Sequence, residues 1–426
     1  MSHEGRGIAY VAGKTVFIDN ALPEEEVDFI YTQRKSKYCT GIAVNIVRPS
    51  KLRVSPFCDH YANCGGCSLQ HLQHDDQLDF KSAMLLEQLG HLGNSNLGCI
   101  SRRITGLTTH YRRRARLAVK YSEKKEELLI GFHERQGGYI NRIESCAILH
   151  ATVGKKIIEL KQLIRSLTIH QYIAQIEVAC GSTLAAIVLR NLLPLAQKDV
   201  QLLEEFSRKH QIEIYSQSDG IESVKLIAGS GKPLSYDLDN CSIKMFFTPT
   251  DFIQINQQIN EQLVNVVVEL LELQRNDTVL DLFCGIGNFT LPIAKRVKQV
   301  IGVEGMATAV VRAQQNALHN GLTNIAFHAA DLEKNFQEQS WWQNIYDKIV
   351  LDPPRTGAEK LCANLKKLQA KKIIYVSCNA ATLARDVGIL QNNGYQLLTV
   401  SIADMYPHTK HLEIVAELCL LRHCEE

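Results

Sequence analysis

The C-terminal part of the sequence predicts an α/β fold with a doubly wound, mostly parallel sheet, and three observations support it. An apolar strand at 279–283 runs into a turn that contains Gly285 and Gly287, and a helix follows. Strand-like and helix-like stretches then alternate along the chain, which is the pattern of βαβ units. The last two strand-like stretches, at 395–406 and 411–421, are joined by a short segment. We therefore expect those two strands to pair antiparallel.

Length and composition narrow the class of protein. The 426 residues suggest about three domains. A hydrophobic content of 45% with 22% charged residues is typical of a globular protein. No apolar run reaches the ~18 residues of a membrane span, and the first residues resemble neither a signal peptide nor a transit peptide. We therefore expect a cytoplasmic protein without membrane contact. In that setting the 13 cysteines argue against a disulfide framework.

We divide the chain into three predicted domains, at 1–53, 54–250 and 251–426. In the first domain, short strands alternate apolar and polar residues, which predicts a small β-barrel. Basic residues crowd the end of this domain: Arg34, Lys35, Lys37, Arg48, Lys51 and Arg53. Such a basic side can hold a nucleic-acid backbone, and a solvated charged face is the alternative. The second domain mixes helix-like and strand-like stretches and is predicted to be α+β.

A cluster of cysteines near the start of the second domain predicts a metal site. Its members are Cys58, Cys64 and Cys67. Gly65 and Gly66 between them allow the chain to fold back, and Cys146 is the best candidate for a fourth thiolate ligand. Structural zinc usually takes paired cysteine knuckles, whereas three near ligands and one distant ligand are closer to iron–sulfur ligation. We expect an iron–sulfur cluster, with zinc and unliganded core cysteines as the alternatives.

An arginine-rich stretch at 111–116 predicts a contact with nucleic acid. Alternation along a strand would place Arg112, Arg114 and Arg116 on one side and Arg113 on the other. Aligned guanidinium groups beside Tyr111 suit phosphates and stacked bases. A solvated strand face is the alternative.

The glycine turn at 285–287 predicts a cofactor that contains adenosine. Glycine lets the backbone approach a ligand without an intervening Cβ atom. Glu304 ends the next strand, about 20 positions after the turn, where an acid suits the two ribose hydroxyls. Gln254 lies just before a long helix, where its amide could meet the cofactor. This pattern is shared by NAD, FAD and S-adenosylmethionine enzymes, so it does not choose among them.

Three motifs at the ends of successive strands carry the predicted chemistry: Asp352-Pro353-Pro354-Arg355, Ser377-Cys378-Asn379 and His411-Leu412-Glu413. A cysteine at a strand end is placed to act as a nucleophile. Glu413 faces opposite to its apolar neighbours, as a partly desolvated general base would. A packed cysteine and an exposed glutamate are the alternatives for each residue taken alone.

A thiol and a carboxylate beside a methyl-donor site predict methylation of C5 in a pyrimidine. Addition of a thiolate to C6 of uracil makes C5 reactive enough to accept a methyl group. A base then removes the C5 proton, and the thiolate is eliminated. Because a free thiol is only a few per cent ionised at neutral pH, we expect the site to favour the thiolate, with Arg355 as the candidate cation.

Together these motifs resemble those of the RNA 5-methyluridine methyltransferases, in particular the type that acts on 23S ribosomal RNA. The resemblance covers nearly the whole chain. The stretch 5–27 resembles a TRAM domain, with Glu24 where glycine is usual. The resemblance implies a Rossmann-like S-adenosylmethionine-dependent methyltransferase domain. It also implies an N-terminal TRAM/OB-like β-barrel and an α+β iron–sulfur central domain, both binding RNA.

The resemblance also implies a role for each matching residue. A [4Fe-4S] cluster would be held by Cys58, Cys64, Cys67 and Cys146. S-adenosyl-L-methionine would meet Gln254, Phe283, Asn288, Glu304, Asp331 and Asp352. Cys378 would be the nucleophile and Glu413 the base.

The implied reaction is C5-methylation of one uridine in 23S ribosomal RNA by a monomeric enzyme. Two alternatives stay open at this stage. One is methylation of a uridine in transfer RNA. The other is a non-catalytic RNA-binding or assembly protein that retains the cofactor fold.

Overall fold

The computed structural model describes residues 1–93, 97–135 and 137–421. Three larger sheets follow one another along the chain, and a two-stranded sheet lies between the second and the third. Within the described ranges, no helix is both long enough and apolar enough to cross a bilayer.

The first sheet is built from the N-terminal residues and contains β1 (Gly7–Val11), β2 (Lys14–Asp19), β3 (Glu26–Arg34) and β4 (Tyr38–Arg48). Its strand order is β1-β2-β4-β3. No pairing of β1 with β3 closes it in the part of the chain that the structure describes, so the predicted barrel stays a prediction. Glu24 adopts the left-handed conformation, with φ 65°, so the turn forms although its residue is not glycine.

The second sheet has the strand order β11-β10-β9-β8-β6-β7. Its strands are β6 (Arg114–Ser122), β7 (Glu127–Gly131), β8 (Ile173–Cys180), β9 (Ala185–Asn191), β10 (Ile212–Gln217) and β11 (Lys225–Ala228). The associated helices are α2 (Ala151–Gly154), α3 (Ile157–Ser166) and α4 (Gln197–His210). Leucine, isoleucine and phenylalanine side chains of α3 and α4 share one apolar core with this sheet. The hairpin of β12 (Leu234–Leu238) and β13 (Ile243–Phe247) follows.

The third sheet confirms the predicted doubly wound α/β architecture. Its strands are β14 (Thr278–Leu282), β15 (Gln299–Glu304), β16 (Ile325–Ala329), β17 (Lys348–Leu351), β18 (Lys372–Ser377), β19 (Tyr395–Ala403) and β20 (Glu413–Leu420). The accompanying helices are α5 (Gln257–Leu270), α6 (Thr290–Ala294), α7 (Ala307–His319), α8 (Glu359–Cys362) and α9 (Ala380–Asn392). β14 to β18 are parallel. β20 pairs antiparallel with β19, as expected, and also with β18.

Two elements from the predicted middle domain pack on the third sheet. β5 (Arg102–Ile104) pairs with β19 and becomes the edge strand. α1 (His74–Leu92) buries Leu85 and Leu89 in the core beneath α9. The sequence pattern did not reveal that β5 joins the third sheet, because a three-residue strand is too short to show a periodicity.

A buried ion pair joins α1 to the segment between β19 and β20. Lys81 donates to Asp404 over 2.6 Å, and the two side chains are 0% and 1% exposed. Lys81 also donates to the carbonyl of Tyr406, and His74 bonds the second oxygen of Asp404 over 2.8 Å. Burial by itself would raise the pKa of Asp404, but its bonds to His74 and Lys81 hold that pKa below its usual value.

We predict that Lys81→Met lowers the free energy of unfolding by about 3–5 kcal/mol, because the substitution leaves the Asp404 carboxylate buried without its cation. Chemical denaturation followed by circular dichroism measures this loss. The control is Arg103→Met, which breaks the exposed ion pair of Arg103 with Asp79 on the same helix and should cost less than about 1 kcal/mol. Equal losses in the two variants would contradict the prediction.

Candidate active site

One cavity lies at the carboxyl-terminal edge of the third sheet. All the residues that we expected to bind the cofactor or to take part in catalysis line this cavity. It measures about 720 Å³, which is ample for a nucleoside-sized ligand. The expected residues that line it are Gln254, Phe283, Asn288, Glu304, Asp331, Asp352, Cys378 and Glu413. The cavity lies at the end of β14, which has β15 on one side and β17 on the other. This is the topological switch point of the sheet, where ligands bind in open α/β folds.

The turn after β14 has the strained backbone that the glycines predict. Phe283, Gly285 and Gly287 have positive φ angles of 64°, 54° and 99°. Residues with a side chain rarely adopt the φ of Gly287, and a Cβ atom there would also lie 2.4 Å from Leu291 Cδ1, so glycine is favoured at this position. Glu304 accepts hydrogen bonds from the backbone N–H groups of Gly285 and Met306 over 3.1 and 2.9 Å. Its carboxylate is therefore held at the mouth of the turn.

Asn288 is held in the cavity wall by polar partners from outside the third sheet. Its Oδ1 accepts from the Tyr236 hydroxyl over 2.9 Å and from Asn260 Nδ2 over 3.0 Å. Its Nδ2 donates to Asn260 Oδ1 over 2.9 Å. Tyr236 belongs to β12, so the hairpin helps to shape this wall.

The register of β18 and β20 brings the predicted nucleophile and base together. Ser377 pairs with Ile414 in this antiparallel ladder. Continuing the ladder by one residue places Cys378 opposite Glu413. Glu413 is 3% exposed, so the predicted desolvation of this carboxylate is confirmed.

The loop that follows β17 is fixed to the helix that follows Cys378. The carbonyl of Arg355 accepts from Asn379 Nδ2 over 2.9 Å and from the Thr382 hydroxyl over 3.2 Å. Asn379 also caps α9 by accepting from the backbone N–H of Ala381. Asp352 and Cys378 are thereby kept on adjacent walls of one cavity.

Burial and negative charge dominate the electrostatics of the cavity. Burial raises the pKa of Asp352 to about 7, and the charges of Asp281 and Glu304 add to this rise. Burial and the neighbouring Asp352 raise the pKa of Glu413 well above its ordinary value, and Arg355 opposes them. Carboxyl groups crowded in this way favour a cationic ligand over an anionic one.

The thiol of Cys378 does not show the expected preference for the thiolate. Burial raises its pKa to about 11, with further contributions from Glu413 and Asp352. Arg355 hydrogen-bonds the thiol and lowers its pKa, as expected, but the effect is smaller than that of burial. The expectation was wrong because burial is the largest influence on this thiol, and the charges of Glu413 and Asp352 act in the same direction.

Sequence reasoning missed four aromatic residues that line the cavity: Tyr236, Phe252, Phe289 and Tyr406. Phe252 is 68% exposed, although it is a large apolar side chain. Tyr406 comes from the segment that follows β19, and the charge of Glu413 adds to the burial that raises its pKa. Phe252 could have been found from its place two residues before Gln254, whereas nothing local marks Tyr406.

The four predicted cluster ligands, Cys58, Cys64, Cys67 and Cys146, line a second, smaller cavity. The backbone N–H of Gly66 points at Cys64 Sγ over 3.4 Å, and a Cβ atom at position 66 would meet that sulfur and the Phe132 ring. No three His, Cys, Asp or Glu side chains among the described residues come close enough to count as a metal-binding group. The four cysteines share one cavity, but their grouping does not by itself define a metal site, and the cluster stays a proposal.

The arginine run has the predicted alternation but not the predicted exposure. Arg113 is 3% exposed, and Arg114 donates to the carbonyl of Pro249 from a side chain that is 19% exposed. Arg116 is open, with 70% of its side chain exposed beside Glu177. Arg112 lines a polar cleft that adjoins the active-site cavity at Arg355. The expectation of a uniform row of phosphate-binding arginines is therefore wrong.

The fold and the cavity define an α/β methyltransferase. A family model described as tRNA (Uracil-5-)-methyltransferase matches residues 73–420. A relative named 23S rRNA (uracil(1939)-C(5))-methyltransferase RlmD, from Francisella tularensis subsp. novicida, is 44% identical over 98% of this chain and 94% of its own. A relative of the same name from Legionella pneumophila is 42% identical over 98% and 95%. The chain belongs to the tRNA (uracil-5-)-methyltransferase family.

A solved structure of the same overall fold is the tRNA (uracil-54, C5)-methyltransferase of Pyrococcus abyssi in complex with S-adenosyl-L-homocysteine. It superposes with a TM-score of 0.75 at 24% identity, and the match covers 97% of each chain. The likeness therefore extends across all three sheets and is not confined to the methyltransferase domain.

We predict that alkylation of Cys378 by iodoacetamide accelerates about tenfold per pH unit between about pH 7 and pH 9, because only the thiolate reacts and its pKa is raised. Arg355→Met should slow the labelling severalfold, since it removes the cation that opposes the rise in pKa. Peptide mass spectrometry follows this one cysteine among the others. Arg275→Met, at an exposed and remote arginine, is the control. A flat pH profile would contradict the prediction.

Proposed function

We propose that this protein transfers a methyl group from S-adenosylmethionine to C5 of a uridine in 23S ribosomal RNA. The observation that carries the proposal is the register of β18 and β20, which sets Cys378 beside Glu413 at the wall of the cofactor cavity. The substrate follows from relatives of 41–44% identity over nearly the full length, all named for uracil C5 of 23S rRNA.

The residues of the cavity fit a cationic adenosine cofactor, and S-adenosylmethionine would supply an electrophilic methyl group on a cationic sulfur. Glu304 would meet the ribose hydroxyls, and Asp331, which lines the same cavity, would meet the adenine end of the cofactor. Gln254, Phe283, Asn288 and Asp352 complete the proposed cofactor contacts. A positive charge near Asp352 would also lower the pKa of the carboxyl groups and of the Cys378 thiol.

The covalent steps use the chain's own side chains. The Cys378 thiolate adds to C6 of the uracil, and the electron pair of the 5,6 double bond moves to C5 as an enolate. C5 would then form a bond to the methyl group of the cofactor, whose bond to sulfur would break to leave S-adenosylhomocysteine. Glu413 removes the C5 proton, the double bond re-forms, and the Cys378 thiolate leaves. To reach Cys378, the target base must leave its stack in the RNA.

We propose that the remaining domains hold the RNA. The module of residues 1–53 and the domain of residues 54–250 would contact the RNA around the target. Arg112 and Arg116 would meet phosphates, because they alone of the arginine run lie at a cleft or an open surface. The enzyme would act as a monomer in the cytoplasm, where ribosomal RNA is found.

Two other functions have less support. Transfer RNA is named in the family description and for the solved structure, but the relatives that match over nearly the full length at more than 40% identity carry the ribosomal name. A non-catalytic RNA-binding role would not require a cysteine and a desolvated carboxyl to face each other. Mapping 5-methyluridine in ribosomal and transfer RNA from cells that lack this protein separates all three functions.

We predict that Cys378→Ala lowers methyl transfer to 23S RNA by at least about a thousandfold, because no adduct can form without the thiol. Binding of S-adenosylhomocysteine, measured by calorimetry, should be retained. Turnover by this variant at the wild-type rate would contradict the mechanism.

The paired variant is Glu413→Gln, which should transfer the methyl group and then stop, since the amide cannot take the C5 proton. Labelled RNA should migrate with the denatured Glu413→Gln protein but not with the double variant that also carries Cys378→Ala. Absence of the adduct in both would show that Glu413 is not the base.

We propose that Cys58, Cys64, Cys67 and Cys146 hold a [4Fe-4S] cluster that shapes the RNA-binding surface. A cluster with four protein ligands has no open iron position, so the proposed role is structural. The fit rests on the shared cavity and on the N–H group of Gly66 that points at Cys64 Sγ.

We predict that anaerobically purified protein absorbs in the visible range and contains about four irons per chain. Cys146→Ser should lose both signals, since it removes one ligand. Cys180→Ser, at a buried cysteine outside this group, is the control and should keep them. Colourless protein that contains stoichiometric zinc would contradict the proposed cluster and indicate a zinc site instead.

A further inference from the structure

Arg113 differs from the rest of the arginine run because it points into the protein. Its side chain is buried, although charged groups are almost never buried without partners. Burial lowers the pKa of its guanidinium to about 10, so the group still carries its charge at neutral pH. The partners that hold this charge therefore matter for what the residue does.

Those partners belong to the wall of the cofactor cavity. Arg113 Nε donates to the carbonyl of Gln254 over 2.6 Å, and Arg113 Nη1 donates to Gln257 Oε1. The backbone N–H of Arg113 donates to the carbonyl of Ile255 over 2.9 Å. Three bonds thus fix the segment 254–257, which leads into α5 and carries the cavity-lining side chain of Gln254.

The same guanidinium lies against the ring of Tyr236, with Cζ 4.3 Å from the ring centroid. In this buried setting a cation–π contact is stronger than at a surface. The hydroxyl of Tyr236 donates to Asn288 Oδ1, so the contact continues to a second cavity-lining residue. One arginine therefore supports the cavity wall at both Gln254 and Asn288.

Arg113 is also tied to the second sheet. It directly precedes β6, and its carbonyl accepts from the backbone N–H of Cys180, the last residue of β8, over 2.9 Å. Its neighbour Arg112 lies in the polar cleft that adjoins the active site. Arg113 consequently links the middle sheet, through its backbone, to the cofactor cavity, through its side chain.

We propose that Arg113 is a positioning residue for S-adenosylmethionine binding, which sets Gln254 and Asn288 in place from the middle domain and does not contact RNA. This inference rests on the proposed function and deepens it. The middle domain then contributes to the cofactor site as well as to the proposed RNA surface.

The test compares Arg113→Met with Arg116→Met, an exposed arginine three residues further along. Calorimetry measures the affinity for S-adenosylhomocysteine, and filter binding measures the affinity for protein-free 23S ribosomal RNA. Arg113→Met should weaken cofactor affinity about tenfold or more, as expected for losing a charged hydrogen bond. Its RNA affinity should stay within about twofold of wild type. Arg113→Lys should recover part of the lost cofactor affinity, because lysine keeps the positive charge but lacks the planar guanidinium with its several N–H donors.

Arg116→Met should show the reverse pattern, with weaker RNA binding and wild-type cofactor affinity. Wild-type cofactor affinity in Arg113→Met, or an equal loss in Arg116→Met, would overturn the inference. If Arg113→Met does not fold, Tyr236→Phe carries the test, since it keeps the ring and removes only the bond to Asn288. Tyr236→Phe should also weaken cofactor binding, and unchanged affinity would overturn the inference. Failure of the wild-type protein to bind S-adenosylhomocysteine would refute the proposed function itself.

Discussion

The antiparallel pairing of β20 with β18 is the constraint on which the active site depends. β18 ends at Ser377 and β20 begins at Glu413, and the ladder lets the end of one strand meet the start of the other. Side chains that are distant in sequence then face one cavity. The Lys81–Asp404 pair anchors the segment before β20 to α1. The position of Glu413 therefore depends on a helix from outside the Rossmann-like unit.

The cavity that results is buried and crowded with carboxyl groups. Burial raises the pKa of Asp352, of Glu413 and of Cys378, and the two carboxyl groups add to the rise at Cys378. Each of these groups would be stabilised in its charged form by a nearby cation. The electrostatics thus favour a positively charged ligand beside the Cys378 thiol, and the sulfonium of S-adenosylmethionine carries such a charge.

The three sheets of this protein are not independent units. β5 extends the third sheet, α1 packs on α9, and Arg113 reaches from the second sheet to the cofactor wall. Buried polar contacts of this kind hold a fixed geometry only when every partner is present. The likeness to a solved structure over 97% of the chain shows that this overall fold is shared.

The sequence alone determined the α/β fold, the antiparallel pair at its end and several residues of the cavity, because strand periodicity and the positions after strand ends are local features. Phe283, Asn288 and Asp331 came instead from the resemblance to a known family. The register that sets Cys378 against Glu413, the inward direction of Arg113 and the raised pKa of the thiol were decided by tertiary structure. Each depends on burial and on charges from distant parts of the chain. Tyr406 and β5 were not predicted for the same reason. Their positions are set by contacts with residues that are distant in sequence.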